Sequence, residues 1–263
     1  LPCWLFCIVS IAAAGAAQDR AVAPLAGAHA HNDYLHDKPL HDALSHGFTS
    51  VEADIFLVEG ELLVAHTPLE VKPGRTLQNL YLDPLRERTR ANGGQVYPSG
   101  SGFTLMIDLK TKGLETYQAL SKVLATYADL LTSVENDRET VRAVSVVVSG
   151  DRPVAFISRE SPRFAAIDGR LPDIDAESPR HLLPLISDNW TTTFRWRGEG
   201  EMPAAERAKL RDIVARAHAK GRRVRFWGAP DVPAIWQAQR DAKVDLINTD
   251  NLPGLEKFLR HTP

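Results

Sequence analysis

The chain has 263 residues, of which 44% are hydrophobic and 24% are charged, and its formal net charge is -2. This balance is typical of one large globular domain, and it lacks the basic excess that attracts nucleic acids or strongly anionic membrane surfaces. We therefore expect no nucleic-acid partner.

The chain opens with an apolar run, LPCWLFCIVSIAAAGAAQDR, in which small residues come just before Gln18. The run resembles the hydrophobic part of a secretory signal with its small-residue cleavage site, although no initiator Met or basic start precedes it. It is too short, and too rich in Ala at its end, for a stable membrane span. We expect a signal segment over 1–17, one domain over 18–263 and a secreted or periplasmic location. Both cysteines, Cys3 and Cys7, lie in this run, so the mature domain would hold no disulfide.

Beyond this run, short β-rich apolar stretches alternate with amphipathic stretches. The predicted strands are 25–30, 50–56, 103–109, 143–149, 164–168, 182–187, 223–227 and 244–250. The predicted helices are 39–46, 114–131, 204–220 and 232–241. The segment ELLVAH, after Glu59 and Gly60, has the pattern of a return arm that forms a hairpin with the second strand. This alternation predicts a single-domain α/β fold, a TIM (β/α)8 barrel with a hairpin insertion after strand 2.

Five residues with chemically useful side chains fall where these strands end or turn: His31, Glu52, Asp54, His66 and Asp108. The carboxyl ends of barrel strands carry the reactive groups in such folds. Glu52 and Asp54 are one residue apart and therefore point to the same face of their strand, as do Asp108 and Lys110. Three carboxylates in one cleft repel one another unless a cation compensates them, and oxygen ligands favour Mg²⁺ or Ca²⁺. We predict one divalent cation with these three carboxylates as its ligands.

Other polar and aromatic residues have two interpretations each. Acids at strand ends are often helix caps, and for Asp188 and Asp250 this interpretation is as good as a functional one. Tryptophans such as Trp196 and Trp236 are more often packing residues than binding residues.

His29 and His31 are also consistent with a second class of enzyme. A His-x-His at the end of the first barrel strand is also how metal-dependent amidohydrolases begin. Their binuclear site needs further histidines at the ends of the fifth and sixth strands, where this chain has Asp168 and Asp188. A zinc-type ligand set is therefore incomplete, and amidohydrolase activity is the weaker alternative.

The order of the motifs resembles the PI-PLC-like phosphodiesterase superfamily, particularly glycerophosphodiester phosphodiesterases and the spider-type sphingomyelinase D group. Those families carry a histidine after strand one, Glu-x-Asp on strand two, a second histidine after a short hairpin and acid-x-Lys on strand three. The matching residues here are His31, Glu52-Ala53-Asp54, His66 and Asp108-Leu109-Lys110. The segments HNDY, VEADIFL, LLVAH, FWGAPD and INTDNL look most like the subgroup of fungal altered-inheritance-of-mitochondria proteins and their bacterial relatives.

The resemblance implies metal-dependent cleavage of a glycerophosphodiester or phospholipid-type phosphodiester by two histidines in general acid and base roles. We favour His31 as base and His66 as acid, and the reverse assignment is the alternative. Its substrate would be a small-molecule or lipid phosphodiester. The substrate-binding residues that we predict are Lys110, Asn32, Trp227 and Trp190. Glycerophosphodiesterases have Arg-Gly after the first histidine, whereas this chain has Asn32 and Asp33, which leaves the head group open. A secreted barrel that binds a phosphorylated ligand without cleaving it is the non-enzymatic alternative.

Overall fold

The computed structural model describes residues 22–261, so the predicted signal segment 1–17, with both cysteines, lies outside the described residues. The strands are β1 (Leu25–Ala30), β2 (Phe48–Val58), β3 (Glu61–Val64), β4 (Phe103–Leu109), β5 (Ser133–Glu135), β6 (Arg138–Thr140), β7 (Val144–Gly150), β8 (Ala165–Gly169), β9 (Leu185–Asn189), β10 (Arg223–Trp227) and β11 (Leu246–Thr249). Eight of them are parallel neighbours in the order β1-β2-β4-β7-β8-β9-β10-β11, and β11 pairs with β1 to close the ring. The predicted TIM barrel is confirmed.

Two hairpins are added to the barrel. β3 runs antiparallel to β2 after a turn in which Glu59 and Gly60 both have positive φ, so the predicted hairpin insertion is present. The second hairpin, β5 with β6, turns at Asn136 and Asp137, which also have positive φ. Asn-Asp is a turn signal of the kind that could have predicted this second hairpin.

The helices are α1 (His41–Ser45), α2 (Asp83–Ala91), α3 (Gly113–Ala125), α4 (Val154–Ile157), α5 (Trp190–Thr193), α6 (Ala204–Ala219), α7 (Pro233–Asp241) and α8 (Leu252–His261). The alternation is less regular than predicted, because β8 is followed only by a 3-10 turn, Leu171–Asp173, before β9 begins. Pro172, Pro179 and Pro184 lie in this connection, and proline lacks the amide hydrogen that helix propagation requires. None of the helices among residues 22–261 has the length and continuous apolarity needed to cross a bilayer.

The strands divide their side chains between two environments. Outward-facing residues such as Val51, Ala53 and Ile107 pack in the main core between the barrel and its helices. Inside the barrel a separate apolar cluster of Met106, Val147, Leu185 and Leu246 fills the space. Toward the carboxyl ends of the strands the interior becomes polar, and buried charges there need partners. The candidate functional site therefore lies at the carboxyl ends of the barrel strands.

Candidate active site

Three carboxylates meet at the carboxyl ends of β2 and β4. The two strands pair in register with Asp54 opposite Asp108. Oxygen atoms of Glu52, Asp54 and Asp108 all lie within 4.8 Å of one another. The period-two spacing on each strand and the parallel pairing of the strands together bring these acids into one cleft.

Two cations already compensate part of this negative charge. Arg225, buried on β10, donates to the Glu52 carboxylate. The Lys110 ammonium lies 2.7 Å from Asp54 Oδ2 and 3.3 Å from Asp108 Oδ1. The prediction of a metal ion assumed that the acids had no other counter-charge, and Arg225 was not part of it. Three carboxylates therefore face two cations, and the demand for a metal is smaller than the sequence indicated.

The protonation of the three acids reflects this incomplete compensation. Burial opposes ionisation of Glu52, but Arg225 and His29 hold its pKa well below its ordinary value. Burial, together with the Glu52 charge, raises the pKa of Asp54 to about 6. Burial also raises the pKa of Asp108 despite the nearby Lys110. Asp54 and Asp108 share a single cation, Lys110, and an additional cation would favour their ionised forms.

The donor set fits a hard divalent cation. Asp54 Oδ1 is buried and has no hydrogen-bond partner among the described residues, while Oδ2 is held by Tyr34, His66 and Lys110. An unsatisfied buried carboxylate oxygen is costly unless an ion or water completes it. The surrounding acids offer only oxygen atoms, which suits Mg²⁺ or Ca²⁺ better than zinc. Glu52, Asp54 and Asp108 are therefore the residues that could hold a metal.

His31 follows β1 and is oriented by a distant carboxylate. Its Nδ1 donates to Asp250 Oδ1 at 2.9 Å, and the Asn32 amide donates to the same oxygen at 3.3 Å. Burial acts against ionisation of Asp250, but the His31 hydrogen bond holds its pKa below the ordinary value. His31 lines the cleft, and no hydrogen bond within residues 22–261 uses its Nε2. Asp250, for which a cap was an equal interpretation, thus orients the His31 ring through this hydrogen bond.

His66 follows β3 and is oriented in a similar way. Its Nδ1 lies 3.2 Å from Asp54 Oδ2 and 2.9 Å from the hydroxyl of Tyr34. The Tyr34 hydroxyl, buried with its ring, also contacts Asp54 and lies 2.7 Å from Asn32 Oδ1. Tyr34 therefore joins the segments that carry the two histidines. It belongs to the HNDY motif, but nothing in the sequence alone indicates that its hydroxyl reaches both histidine segments.

His29 gives no support to the amidohydrolase alternative. Its side chain is fully buried, with Nδ1 2.7 Å from Ser50 Oγ and Nε2 3.3 Å from Glu52 Oε2. Burial, followed by the Arg225 charge, lowers its pKa to about 3. Both ring nitrogens are engaged, so His29 is a neutral support for Glu52.

The remaining predicted residues divide into two groups. Trp227 lines the cleft, whereas Trp190 is fully buried and packs against Phe194 and Phe226. The structure therefore corrects the prediction that Trp190 forms a wall of the substrate pocket, because its ring faces the core between barrel and helices. Asp188 accepts backbone hydrogen bonds from Leu171 and Asn189, which is a structural role.

The cleft has a volume of about 320 Å³, within the usual size range of small-ligand sites. Its lining residues are His31, Asn32, Glu52, His66, Asp108, Lys110, Ser149, Arg170, Arg225 and Trp227. Gly150 lets the wall approach closely, because its φ is +70° and a Cβ there would collide with Asp108. Sequence reasoning missed Ser149 on β7, Arg170 just after β8 and Arg225 on β10, because none of the three is part of a motif that the sequence analysis singled out.

Asp33 anchors the segment after His31 and gives a pH-dependent stability prediction. Its Oδ2 accepts from Leu40 N at 2.6 Å and from the Tyr81 hydroxyl at 2.9 Å, and burial raises its pKa to about 7. The folded protein then binds this proton more tightly than the unfolded chain, whose ordinary pKa is 3.8. The stabilisation from Asp33 is therefore full below pH 3.8 and is lost as the pH rises toward 7.

Urea denaturation of the wild type and Asp33→Asn at pH 5 and pH 8 would check this. We expect the free energy of unfolding of the wild type, relative to the variant, to be lower at pH 8 by about 1 kcal/mol or more. An equal difference at both pH values would contradict the assignment.

Comparisons with known proteins agree with the motif analysis. The model of the AIM6-like phosphodiesterase domain matches residues 17–99, and that of the glycerophosphoryl diester phosphodiesterase family matches residues 223–253. Altered inheritance of mitochondria protein 6 of Eremothecium gossypii is 28% identical over 275 residues, which cover 91% of this chain and 71% of that protein. Its homolog from Arthroderma benhamiae is 27% identical, with 85% of this chain and 81% of that protein covered.

Solved structures share the fold at low sequence identity. A calcium-dependent phosphoinositol-specific phospholipase C from Pseudomonas has a TM-score of 0.56 at 13% identity, covering 89% of this chain and 93% of that chain. An Oleispira antarctica phosphodiesterase in complex with the product sn-glycerol-3-phosphate has a TM-score of 0.56 at 14% identity, covering 90% and 98%. The family matches, the relatives and the shared barrel confirm the resemblance seen in the motifs: the chain is similar to AIM6-like phosphodiesterase domains in sequence and has the barrel fold of known phosphodiesterases.

Proposed function

We propose that the protein is a metal-dependent phosphodiesterase that cleaves a glycerophosphodiester or phospholipid-type phosphodiester by two-histidine acid–base catalysis. The observation that carries the proposal is the pairing of each histidine with a carboxylate at the edge of one acidic cleft. His31 is held by Asp250 and His66 by Asp54, and each keeps Nε2 for a reacting group. A histidine oriented through one ring nitrogen is the usual arrangement of a general base or acid.

Glu52, Asp54 and Asp108 would hold the cation. When bound, a divalent cation supplies positive charge that stabilises the developing charge on a phosphate oxygen. Lys110 lies beside the same carboxylates and lines the cleft, so its ammonium adds a second positive contact for the phosphate. A diester phosphate carries one negative charge, which is attracted by Lys110, Arg225 and the bound cation beside the three carboxylates.

His31 and His66 differ in their hydrogen-bond partners and in their exposure to solvent. This difference favours one assignment of the general base and the general acid. Within residues 22–261 the Asp250 carboxylate accepts hydrogen bonds from His31 and Asn32, and the contact with His31 Nδ1 holds the proton on that nitrogen and leaves Nε2 as the acceptor that a base needs. Asp54 Oδ2 is shared between His66, Tyr34 and Lys110, and His66 Nδ1 also contacts the Tyr34 hydroxyl, so the proton of His66 is less firmly fixed on one nitrogen. The His66 side chain is also 49% exposed, against 21% for His31, and can take up a proton from solvent. We therefore assign His31 to deprotonate the attacking hydroxyl and His66 to protonate the departing oxygen.

The proposal is tested by a panel of phosphodiesters. Purified protein is stripped of metal with a chelator, then supplied with Mg²⁺, Ca²⁺ or Mn²⁺ and followed by phosphorus NMR. We expect metal-dependent cleavage of at least one glycerophosphodiester or lysophospholipid. Binding of a phosphodiester without cleavage under all metal conditions would instead support the non-catalytic binding barrel.

Tyr34→Phe is expected to lower turnover by roughly tenfold while the protein stays folded. The change removes only the hydroxyl, which contacts Asp54 and His66 and holds Asn32. A hydrogen bond to a charged group contributes on the order of 1.5 to 3 kcal/mol, part of which is replaced by water here. The measurement is kcat across pH, with circular dichroism as the folding control. An unchanged kcat and pH profile would show that Tyr34 does not position His66.

A further inference from the structure

A second polar cluster lies across the cleft from the histidines, and the proposed reaction leaves it unused. Arg170 follows β8, the fifth of the eight barrel strands in ring order, and therefore lies opposite β1, which leads into His31. Arg170 and Ser149, near the end of β7, line the same cleft as the histidines and the carboxylates. A single substrate can therefore contact both walls.

A buried carboxylate fixes this wall in place. Asp168 is fully buried and accepts hydrogen bonds from Ser149 Oγ at 2.9 Å and from Ser187 Oγ. Arg170 Nη1 donates to Asp168 Oδ2 at 2.7 Å and to Gly169 O at 3.0 Å. Arg170 Nη2 donates to Ser149 Oγ at 3.1 Å. These bonds hold one side of the guanidinium in a single orientation.

The other edge of the Arg170 guanidinium is open to the cleft. A guanidinium carries five N–H donors. Within residues 22–261, no hydrogen bond uses Nε of Arg170, and Nη2 makes only the bond to Ser149. The side chain is 27% exposed. Nε and Nη2 form a fork of the width that matches two oxygens of a carboxylate or phosphate.

Arg152 brings a second guanidinium next to this wall. Its Nε is buried without a partner in the part of the chain that the structure describes, and its Nη1 lies 3.2 Å from Gly150 O. Burial, and then the charge of Arg170, lower the pKa of Arg152. Asp173 is nearby, but its carboxylate accepts the backbone N–H of Arg170 at 2.9 Å. Arg152 and Arg170 follow the neighbouring strands β7 and β8, and the buried Asp168 carboxylate pairs with Arg170. Arg152 therefore adds positive charge beside this wall, which favours a further anion.

We propose that the wall of Arg170 and Ser149, reinforced by Arg152, binds a second anionic group of the substrate. The preferred substrates are then phosphodiesters whose head group carries a carboxylate or a phosphate in addition to the diester. This inference rests on the proposed phosphodiesterase function, which places the diester at the opposite wall, between the histidines and the carboxylates.

Two substrates that differ by one carboxylate, glycerophosphoserine and glycerophosphoethanolamine, test the proposal. We expect kcat/KM of the wild type to be at least tenfold higher for glycerophosphoserine. Arg170→Gln should reduce this ratio by about tenfold to a hundredfold, chiefly through KM, because a charge-assisted bidentate contact is lost. Arg216→Gln is the matched control, because Arg216 lies on the exposed surface of α6 and pairs there with Asp175 from the connection between β8 and β9. This variant should leave the ratio unchanged.

A second variant controls for the possibility that Arg170→Gln disturbs folding. Arg170→Gln leaves Asp168 buried without its cation, so the double variant Asp168→Asn with Arg170→Gln removes both charges together. It should lose the same selectivity while keeping a native circular dichroism spectrum. A ratio near one in the wild type, or a ratio that neither variant changes, would overturn the subsite and leave the phosphodiesterase proposal intact.

Direct binding separates the two proposals. Calorimetry in the presence of Ca²⁺ compares glycerol 1,3-bisphosphate with glycerol 3-phosphate, which differ by one phosphate. We expect the bisphosphate to bind at least tenfold more tightly to the wild type, and Arg170→Gln to abolish the difference. If no diester is cleaved but this difference holds, the catalytic proposal fails and the anion subsite stands. Equal affinities in the wild type would refute the subsite.

Discussion

Chelation of divalent cations is expected to abolish phosphodiester cleavage, and Mg²⁺ or Ca²⁺ is expected to restore it. The three carboxylates outnumber Arg225 and Lys110, and Asp54 Oδ1 is buried without a partner among residues 22–261. Removal of a metal that neutralises phosphate charge eliminates the largest electrostatic stabilisation in such a site. Activity after dialysis against EDTA, followed by metal titration, is the measurement.

The ligand assignment behind this effect is tested by single substitutions. Asp54→Asn and Asp108→Asn should each weaken cation binding by at least tenfold in calorimetry, because each removes a charged oxygen ligand. Since Asp54 must be ionised to bind, and its pKa is raised to about 6, the affinity of the wild type should also fall below that pH. Asp212→Asn, an exposed acid on α6, is the control. Tight binding that both site variants retain would show that the cation, if any, lies elsewhere.

His31→Ala and His66→Ala are each expected to lower kcat by about 10² to 10⁴-fold, with a native circular dichroism spectrum. Both side chains reach the cleft, and neither is part of the core, so their loss should affect proton transfer rather than folding. The control is His41→Ala, because His41 is exposed in α1. Near-normal turnover in either variant would remove that histidine from the mechanism.

Asp250→Asn separates a positioning role from a structural one. The change keeps the shape of the side chain but removes the charge that faces His31 Nδ1. We expect a lower kcat with a nearly unchanged KM, because the His31 ring loses the carboxylate that fixes its orientation and tautomer while the substrate contacts remain. A loss of activity that comes with a loss of native circular dichroism, or an unchanged kcat, would argue against this role.

The sequence by itself determined the barrel and the order of its motifs. Short β-rich apolar runs predicted β1, β4 and β10 with their observed bounds, and the Glu59-Gly60 turn predicted the hairpin that carries His66 at its end. These features depend on neighbours within a few residues, and local periodicity is therefore sufficient to find them. The two acids on β2 and the acid on β4 follow from the same periodicity, once the strands are known to be parallel.

Only the tertiary structure decided what each of these side chains contacts. Glu52 meets Arg225 across 173 residues of sequence, and His31 meets Asp250 across 219 residues. Such pairs depend on the register and closure of the barrel, which bring strand ends together that are far apart in the chain. For the same reason, Trp190 was expected in the pocket but lies in the core, whereas Arg170 carried no motif and lines the cleft. Local patterns fix which residues lie at strand ends, but the closed sheet fixes which strand ends face one another.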